Sequence, residues 1–358
     1  MGWPHTLNTG WCPSAGDVKT IRRPAAKCSC VEPVVRQAQR TDYLPWVDAA
    51  TDDASTTPAQ SALRVPRQAA PSSLFPNKSG PFAVLGNLIP KETIMAETHK
   101  TWFITGASTG LGEALAAVLL EKGDRVVATF RQPAQVAAFT QSAPGQRLGV
   151  LADVTHAAQI AAAVQQALVA FGHLDVVVNN AGYGSLGSIE EISEEETQRQ
   201  FDVNVFGPLR LIRAVLPHLR ARRAGHLLNI TSMGGLLGLV HSGIYNGSKF
   251  ALEGLGESLA LQLAPLGIHV TNVEPGPFRT QWAGASATYL EPQLADYVPT
   301  VGEGLKASRG RDGHQVGDPA KAAEALYQLV RLPHPPVHLL LGGSAYRMAR
   351  QKFQAMLK

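Results

Sequence analysis

Residues 101–121 read TWFITGASTGLGEALAAVLLE and join a strand pattern, a glycine-rich turn and a helix pattern. The apolar run Thr101–Thr105 predicts a strand, and amphipathic spacing predicts a helix over Glu113–Glu121. The turn between them is Thr105-Gly106-Ala107-Ser108-Thr109-Gly110-Leu111-Gly112. Its glycines permit a tight turn and a close approach of the backbone to a pyrophosphate, while the helix start offers free N–H groups. The stretch therefore predicts a dinucleotide-binding turn.

The chain after Met95 repeats this alternation of short apolar runs and long amphipathic stretches. One helical stripe consists of Phe201, Val205, Leu209, Ile212, Val215 and Leu219. Six further strand candidates are Arg125–Phe130, Arg147–Leu151, Asp175–Asn179, His226–Thr231, His269–Val273 and Val337–Leu341. Because strand–helix alternation builds a parallel sheet covered on both faces, we predict a doubly wound, Rossmann-type α/β fold of about seven strands.

Residues 1–94 differ from the rest in composition. They hold 11 of the chain's 24 prolines, and no stretch keeps a strand or helix period for long. We predict a disordered extension here. The run Lys91–Met95 can be back-translated into a purine-rich ribosome-binding site before an in-frame start, so a second hypothesis has translation beginning at Met95. Either way, residues 95–358 are predicted to form a single Rossmann-type domain.

Charge and cysteine content argue against several classes of function. Ten of the 32 Lys/Arg and seven of the 28 Asp/Glu precede Met95, which leaves 22 basic and 21 acidic residues after it. This balance argues against a nucleic-acid surface. Neither a disulfide framework nor a metal site is expected, because all the cysteines lie near the start, at Cys12, Cys28 and Cys30. No apolar run reaches the roughly 20 residues of a membrane span, and no signal-peptide pattern is seen, which predicts a cytoplasmic location.

Arg131 bears on the choice of nicotinamide cofactor. NAD sites usually place Asp or Glu near the end of the second strand, where it pairs with the ribose 2′-hydroxyl. The predicted strand Arg125–Phe130 ends without an acid, and Arg131 follows it. A guanidinium at this place suits a 2′-phosphate. We therefore predict NADP(H) as the preferred cofactor, with NAD(H) as the alternative.

Tyr245 and Lys249 are the candidates for proton transfer. They lie four residues apart at the start of a helix pattern and so share one face of it. A free tyrosine with a pKa of about 10 is a poor base at neutral pH, and a nearby ammonium favours its phenolate form. Ser232 follows a predicted strand and precedes Tyr245 by thirteen residues, so its hydroxyl can hold a substrate oxygen beside the tyrosine.

From about Thr101 to Val273 the chain resembles the short-chain dehydrogenase/reductase family in its compact single-domain form. The glycine turn resembles the family's cofactor loop. The other matching segments follow in family order: Asp153-Val154, Asn179-Asn180-Ala181-Gly182, Asn204, Ser232, Tyr245 with Lys249, and Pro275-Gly276 with Thr280. Gly247 departs from the pattern, since it takes a position that is often alanine.

The resemblance implies a role for each residue of the catalytic set. It makes Tyr245 the general acid/base, while Lys249 holds the nicotinamide ribose and lowers the tyrosine pKa. Ser232 orients the substrate oxygen, and Asn204 anchors a water in a proton relay. The implied cofactor contacts, besides Tyr245 and Lys249, are Gly106, Ser108, Thr109, Gly110, Leu111, Gly112, Arg131, Asp153, Val154, Asn180, Ala181, Gly182, Pro275, Gly276 and Thr280. Related enzymes pair helices like Glu194–Leu219 and Gly243–Ala264, which implies a homodimer or homotetramer.

The expected substrate is a hydrophobic ketone, aldehyde or secondary alcohol rather than a sugar or an acid. Candidate walls of its site are mostly apolar: Met233–Val240 (with Leu236, Leu237, Leu239 and Val240), Tyr183–Leu186, and the stretch Gln281–Gly317, predicted to be irregular, with Trp282, Tyr289 and Tyr297.

Two alternatives remain open. Gly106-Ala107-Ser108-Thr109-Gly110 also fits the nucleophile elbow of α/β-hydrolases, with Ser108 as nucleophile. An elbow needs strands and an oxyanion loop upstream of it, and no HGGG-like segment is found. A non-catalytic NADP(H) sensor is the other alternative, although a sensor would normally have lost Tyr245 or Lys249.

Overall fold

The computed structural model describes residues 99–143 and 145–358. The extension predicted over residues 1–94, and the hypothesis of a start at Met95, lie outside the described residues.

Nine strands are present in the described part of the chain. They are β1 Thr101–Ile104, β2 Arg125–Phe130, β3 Arg147–Leu151, β4 Val176–Asn179, β5 Gly184–Leu186, β6 Gly225–Ile230, β7 Ile268–Pro275, β8 Ala287–Tyr289 and β9 His338–Leu341. Seven of them form a parallel sheet in the order β3-β2-β1-β4-β6-β7-β9. This confirms the predicted seven-stranded sheet. The pairing of β5 with β8 in a separate two-stranded sheet was not predicted.

Helices connect the strands. They are α1 Gly110–Glu121, α2 Pro133–Gln141, α3 Ala157–Phe171, α4 Glu194–Phe201, α5 Gly207–Arg222, α6 Gly243–Leu263, α7 Glu303–Arg309, α8 Pro319–Leu329 and α9 Gly343–Met356. Single turns of other helix types occur at Asp202–Phe206, Met233–Gly235, Ala264–Leu266, Ala295–Tyr297 and Val298–Gly302.

The sheet is buried on both faces. In β1, Trp102 and Ile104 point into one apolar core with α1 and α8, while Phe103 points into the other with α3, α5 and α6. All three side chains are fully buried. Because parallel strands need cover on both faces, their sequences are continuously apolar. The doubly wound α/β prediction is confirmed.

The predicted stripe from Phe201 to Leu219 does face the core, but its helix is interrupted. Val205, Ile212 and Val215 are buried as expected. The π-helical turn Asp202–Phe206 separates α4 from α5. Such turns often occur at functional sites, and this one carries Asn204.

A buried carboxylate holds the start of β1. Asp124 accepts hydrogen bonds from the backbone N–H of Lys100 at 2.9 Å and the indole N–H of Trp102 at 2.8 Å. Arg331 adds bonds of 3.0 and 2.9 Å to the two carboxylate oxygens. Asp124 is fully buried. This network therefore connects the turn after α1 with the start of β1 and with the residues that follow α8.

The stretch Gln281–Gly317 was predicted to be irregular, and this was wrong in part. It contains β8, two short helical turns and α7. These elements are short and are separated by prolines and glycines, so no period extends far enough to be read from the sequence.

Within the described ranges, no helix is both long and apolar enough to cross a bilayer. The cytoplasmic location stays a prediction.

Candidate active site

A cleft of about 1550 Å³ opens at the carboxyl ends of the central strands. Residues that directly follow the strands line it, including Gly106 after β1, Arg131 after β2, Asn180 after β4 and Ser232 after β6. The strand order reverses between β1 and β4, and ligands of open α/β sheets bind in the crevice at that point.

The glycine turn approaches the segment after β4 closely. Gly106 and Gly110 have φ angles of +66° and +65°, which favour glycine. A Cβ on Gly106 would lie 2.9 Å from Cα of Ala181, and one on Gly112 would lie 2.5 Å from Nδ2 of Asn180. Gly112 therefore supports the turn from behind and, unlike the other predicted cofactor contacts, does not line the cleft.

Thr105 and Asn180 fix the shape of this turn. Asn180 donates from Nδ2 to the carbonyl oxygens of Thr105 and Gly106, both at 2.8 Å. Thr105 Oγ1 accepts the backbone N–H groups of Asn180 and Ala181, both at 3.0 Å. Thr105 was predicted only as the start of the turn, and its bonding role became visible only in the fold.

Arg131 and Asp153 lie in the same cleft, at the ends of β2 and β3. Burial raises the pKa of Asp153, but hydrogen bonds from Thr155 and the charges of His156 and Arg131 together hold that pKa below its ordinary value. In the described part of the chain, no carboxylate lies within ion-pair distance of Arg131. Its exposed guanidinium is available to a ligand.

The remaining predicted cofactor contacts also line this cleft. They are Ser108, Thr109, Gly110, Leu111, Val154, Ala181, Gly182, Pro275, Gly276 and Thr280.

Tyr245 and Lys249 project from α6 into the cleft. The centroids of the Tyr245 and Trp282 rings lie 5.1 Å apart. Burial raises the Tyr245 pKa to about 12, although a hydrogen bond with Ser232 acts to lower this pKa. Lys249 Nζ lies 5.9 Å from the Tyr245 ring centroid and donates to the Ile230 carbonyl at 2.8 Å. Burial lowers the Lys249 pKa to about 8, although the negative charge of Glu253 acts to raise this pKa.

Ser232 is oriented by the turn that follows it. Its Oγ accepts the backbone N–H of Gly234 at 2.9 Å, which caps the short helical turn Met233–Gly235. The hydroxyl hydrogen therefore remains available on the side of Tyr245.

Asn204 lies behind the cleft wall. Its side chain is 1% exposed and bonds both backbone groups of Tyr183, accepting the N–H at 3.2 Å and donating to the carbonyl at 3.0 Å. A Cβ on Gly182 would lie 3.1 Å from Asn204 Oδ1 and 3.5 Å from Lys249 Nζ. Glycine at 182 thus keeps open the space between Asn204 and Lys249.

The predicted substrate walls are present only in part. Met233, Leu239, Tyr183 and Trp282 line the cleft. The other named candidates do not: Leu236, Leu237, Val240, Tyr289 and Tyr297. Polar side chains also line it. His241 and Ser242 lie outside the predicted walls, and the predicted stretch Gln281–Gly317, expected to be mostly apolar, contributes Ser286, Thr288, Ser308, Arg311 and Gln315.

Three buried asparagines form a ladder across the sheet. Asn179, Asn229 and Asn272 are register partners on β4, β6 and β7 and are joined by side-chain hydrogen bonds of 2.9 and 3.0 Å. Asn272 also donates to the Glu253 carboxylate at 2.7 Å. A Cβ on Gly256 would lie 1.9 Å from Asn272 Oδ1. This glycine therefore serves the packing of α6 on the sheet.

Beyond the ladder, His338 Nδ1 bonds the fully buried Glu274 at 2.7 Å. Burial raises the pKa of Glu253 to about 7 and raises the pKa of Glu274. Among the described residues, Glu253, Glu274 and His338 are the one group with potential metal-ligand atoms within 4.8 Å of one another. Sequence spacing did not reveal this group, since its members come from α6, β7 and β9.

Ser108 lacks the surroundings of a hydrolase nucleophile. It is exposed on the turn after the first strand of the sheet. No histidine hydrogen-bonds to it within residues 99–143 and 145–358.

Residues 100–289 match the family model described as short chain dehydrogenase. Human retinol dehydrogenase 8 is 41% identical over 262 residues, which cover 68% of this chain and 81% of that protein. A short-chain dehydrogenase from Streptomyces avermitilis is 37% identical with a TM-score of 0.68, over 73% of this chain and 94% of that one. A short-chain dehydrogenase/reductase from Burkholderia phymatum in complex with NAD is 25% identical with a TM-score of 0.63, over 73% and 95% of the two chains.

Proposed function

Since this chain belongs to the short-chain dehydrogenase family and is an NAD(P)-dependent oxidoreductase, we propose that it interconverts a secondary alcohol with a ketone, or an alcohol with an aldehyde. The observation that carries the proposal is the meeting of Tyr245, Lys249 and Ser232 in one cleft with the glycine turn. This arrangement of side chains suits proton transfer beside a bound dinucleotide. It therefore supports the oxidoreductase proposal over the hydrolase and sensor alternatives.

The residues of the turn fit a nicotinamide dinucleotide. Close backbone approach at Gly106 and free N–H groups at the start of α1 suit a pyrophosphate. Tyr245 and Lys249 would border the nicotinamide ribose, and Pro275, Gly276 and Thr280 would border the carboxamide. When bound, the cofactor supplies or accepts the hydride.

In the reducing direction, the Tyr245 hydroxyl donates a proton to the carbonyl oxygen of the substrate, while Ser232 donates a hydrogen bond to the same oxygen. In the oxidising direction, the Tyr245 phenolate removes the proton of the alcohol. Burial alone opposes this phenolate, so the ammonium of Lys249 must favour it. Asn204 positions the segment after β4 and anchors a water that connects Lys249 to solvent.

We further propose a preference for NADP(H) over NAD(H). The support is the free Arg131 at the end of β2 and the lack of an acid in that strand. An arginine binds a 2′-phosphate through two parallel hydrogen bonds.

The proposed substrates have an apolar body. Met233, Leu239 and Trp282 provide apolar surface in the cleft, and one relative is named for retinol, an apolar alcohol. The test is a panel of apolar ketones, aldehydes and alcohols, with NADPH and NADH absorbance followed in turn. We expect turnover with NADPH. Ester hydrolysis that persists without nicotinamide would contradict the proposal and favour the hydrolase.

We also propose that residues 95–358 form one domain and that the protein works as a homodimer or homotetramer. A Cβ on Gly254 of α6 would meet nothing within 4 Å among the described residues, so this helix face is open to a neighbour. Sedimentation equilibrium should give two or four chains per particle. A fully active monomer would contradict the assembly and leave the chemistry untouched.

A further inference from the structure

The outer part of the cleft carries buried polar groups that the proposed chemistry does not use. Gln315 is 7% exposed and His241 is 8% exposed, and both line the cleft. In the part of the chain that the structure describes, Gln315 Oε1 has no hydrogen-bond partner. Buried polar groups in proteins are nearly always hydrogen-bonded, so this amide is open to a ligand. Rotation of the terminal amide by 180° exchanges its oxygen and its N–H₂ group, so it can meet either a donor or an acceptor.

Arg311 brings an unpaired positive charge to the same wall. The other cations nearby have carboxylate partners: Arg309 pairs with Glu291, and Lys306 lies 3.9 Å from Glu303. Among the described residues, no carboxylate lies within 4 Å of the Arg311 guanidinium. His241 and Arg311 both line this cleft; burial lowers the pKa of His241, and the charge of Arg311 lowers it further.

These side chains lie on anchored segments. A Cβ on Gly304 of α7 would lie 2.9 Å from His241 Nδ1, so α7 packs directly on the histidine. Arg279, which follows β7, donates to the Gln315 carbonyl at 2.9 Å. His241 itself precedes Tyr245 by four residues. The polar wall is therefore held in place relative to the catalytic tyrosine.

We propose that Arg311, Gln315 and His241 form a subsite for a carboxylate at the far end of the substrate. A guanidinium matches a carboxylate with two parallel hydrogen bonds. The Gln315 amide, turned by 180° about its last side-chain bond, presents its N–H₂ group to the same anion. Apolar side chains, including Met233, Leu239 and Trp282, also line the cleft. The substrate class is thus an apolar oxo acid or the corresponding hydroxy acid. This inference rests on the proposed function, because it places the carbonyl of the same molecule at Tyr245.

The kinetic test compares straight-chain oxo acids with their methyl esters, using the full chain and NADPH. The methylene spacer between ketone and carboxylate is lengthened one carbon at a time. We expect the acid to exceed its ester in kcat/KM at a preferred spacer length. Arg311→Gln should lower this acid-to-ester ratio about tenfold, the low end for a lost contact to a charged group, because Arg311 is exposed. Gln315→Met should lower it in the same direction.

Lys306→Gln is the matched control, since it removes one positive charge from α7 outside the cleft wall. It should leave the ratio unchanged. An equal fall in the Lys306 and Arg311 variants would show general attraction of anions and overturn the subsite. Equal rates for acids and esters, unchanged in Arg311→Gln, would also overturn it, while the proposed oxidoreductase function would stand.

A binding measurement separates the subsite from the chemistry. Saturated fatty acids of matched length and their methyl esters are titrated calorimetrically into the protein with NADP⁺ present. Tighter binding of the acid than of its ester, weakened about tenfold by Arg311→Gln, would support the subsite. This support would hold even if no ketone were turned over. A lack of turnover would count against the proposed function alone. No difference between acid and ester, in wild type or variant, overturns the subsite.

Discussion

Replacing Tyr245 with phenylalanine removes one hydroxyl and leaves the ring. The side chain is 5% exposed, and its ring packs 5.1 Å from the ring of Trp282, so phenylalanine fills the same space. Ser232 is the one hydrogen-bonding group that influences the Tyr245 pKa. The variant therefore loses one hydrogen bond, and the free energy of unfolding should change by no more than about 1 kcal/mol.

The effect on turnover should be far larger. Proton transfer by a positioned side chain contributes about 10²–10⁴-fold to the rate. This range corresponds to about 2.7–5.5 kcal/mol in activation free energy, several times the expected change in stability. The alcohol oxidation rate of the wild type should rise with pH, because the phenolate of Tyr245 is the base. The Phe variant should lack this rise.

The assay is kcat for a ketone and for its alcohol, with urea unfolding measured on the same preparations. Tyr289→Phe is a matched control, because its hydroxyl donates to the Ala283 carbonyl at 2.7 Å and the side chain does not line the cleft. The kcat of this variant should fall by no more than about tenfold, which corresponds to the loss of one neutral hydrogen bond. Loss of the proton-transfer group should lower kcat at least about 100-fold. If Tyr245→Phe kept more than roughly a tenth of the wild-type kcat, the assignment of Tyr245 as acid/base would be refuted.

Three other perturbations test separate parts of the structure. Arg131→Asp should weaken NADPH binding about 10- to 150-fold and improve the use of NADH; an unchanged kcat/KM ratio for the two cofactors would remove the support for NADP(H). Asp124→Asn should cost about 3 kcal/mol in urea unfolding, because it leaves Arg331 without its buried anion; a change within about 0.5 kcal/mol would show that this network contributes little. The hydrogen bond that His338 donates to the Glu274 carboxylate raises the pKa of His338, so the paired histidine stabilises the fold below its unfolded pKa of about 6.5, and this contribution is lost as pH rises through the raised value. His338→Gln should therefore differ most from the wild type below the unfolded pKa and converge with it as pH rises through the raised pKa of His338; a pH-independent difference would contradict this.

Much of the fold and most of the residues that line the candidate cofactor cleft could be predicted from the sequence. Each strand of the main sheet was located to within two residues at either end, because parallel strands buried on both faces are continuous apolar runs. The turn from Thr105 to Gly112 carries its own conformational requirement in its glycines. The motifs at Ser232, Tyr245 and Lys249 lie together in the cleft because each follows or flanks a strand whose carboxyl end meets the same edge of the sheet.

The elements that failed prediction are those with short or interrupted patterns. The pair β5 and β8 has three residues in each strand, which is too few to show alternation. The π-helical turn at Asn204 adds residues to one turn without changing the apolar stripe around it. Neither feature leaves a periodic signal in the sequence.

Local patterns along the sequence determined which residues form strands, helices and turns, since these follow from periodicity and turn chemistry within a few residues. The tertiary structure alone decided which distant side chains meet. The register of β4, β6 and β7 aligns Asn179, Asn229 and Asn272. The packing of α7 on His241 places Arg311, seventy residues later in the chain, in the same cleft wall. Cross-strand register and helix docking are set by the whole packed core, so no single stretch of sequence encodes such meetings.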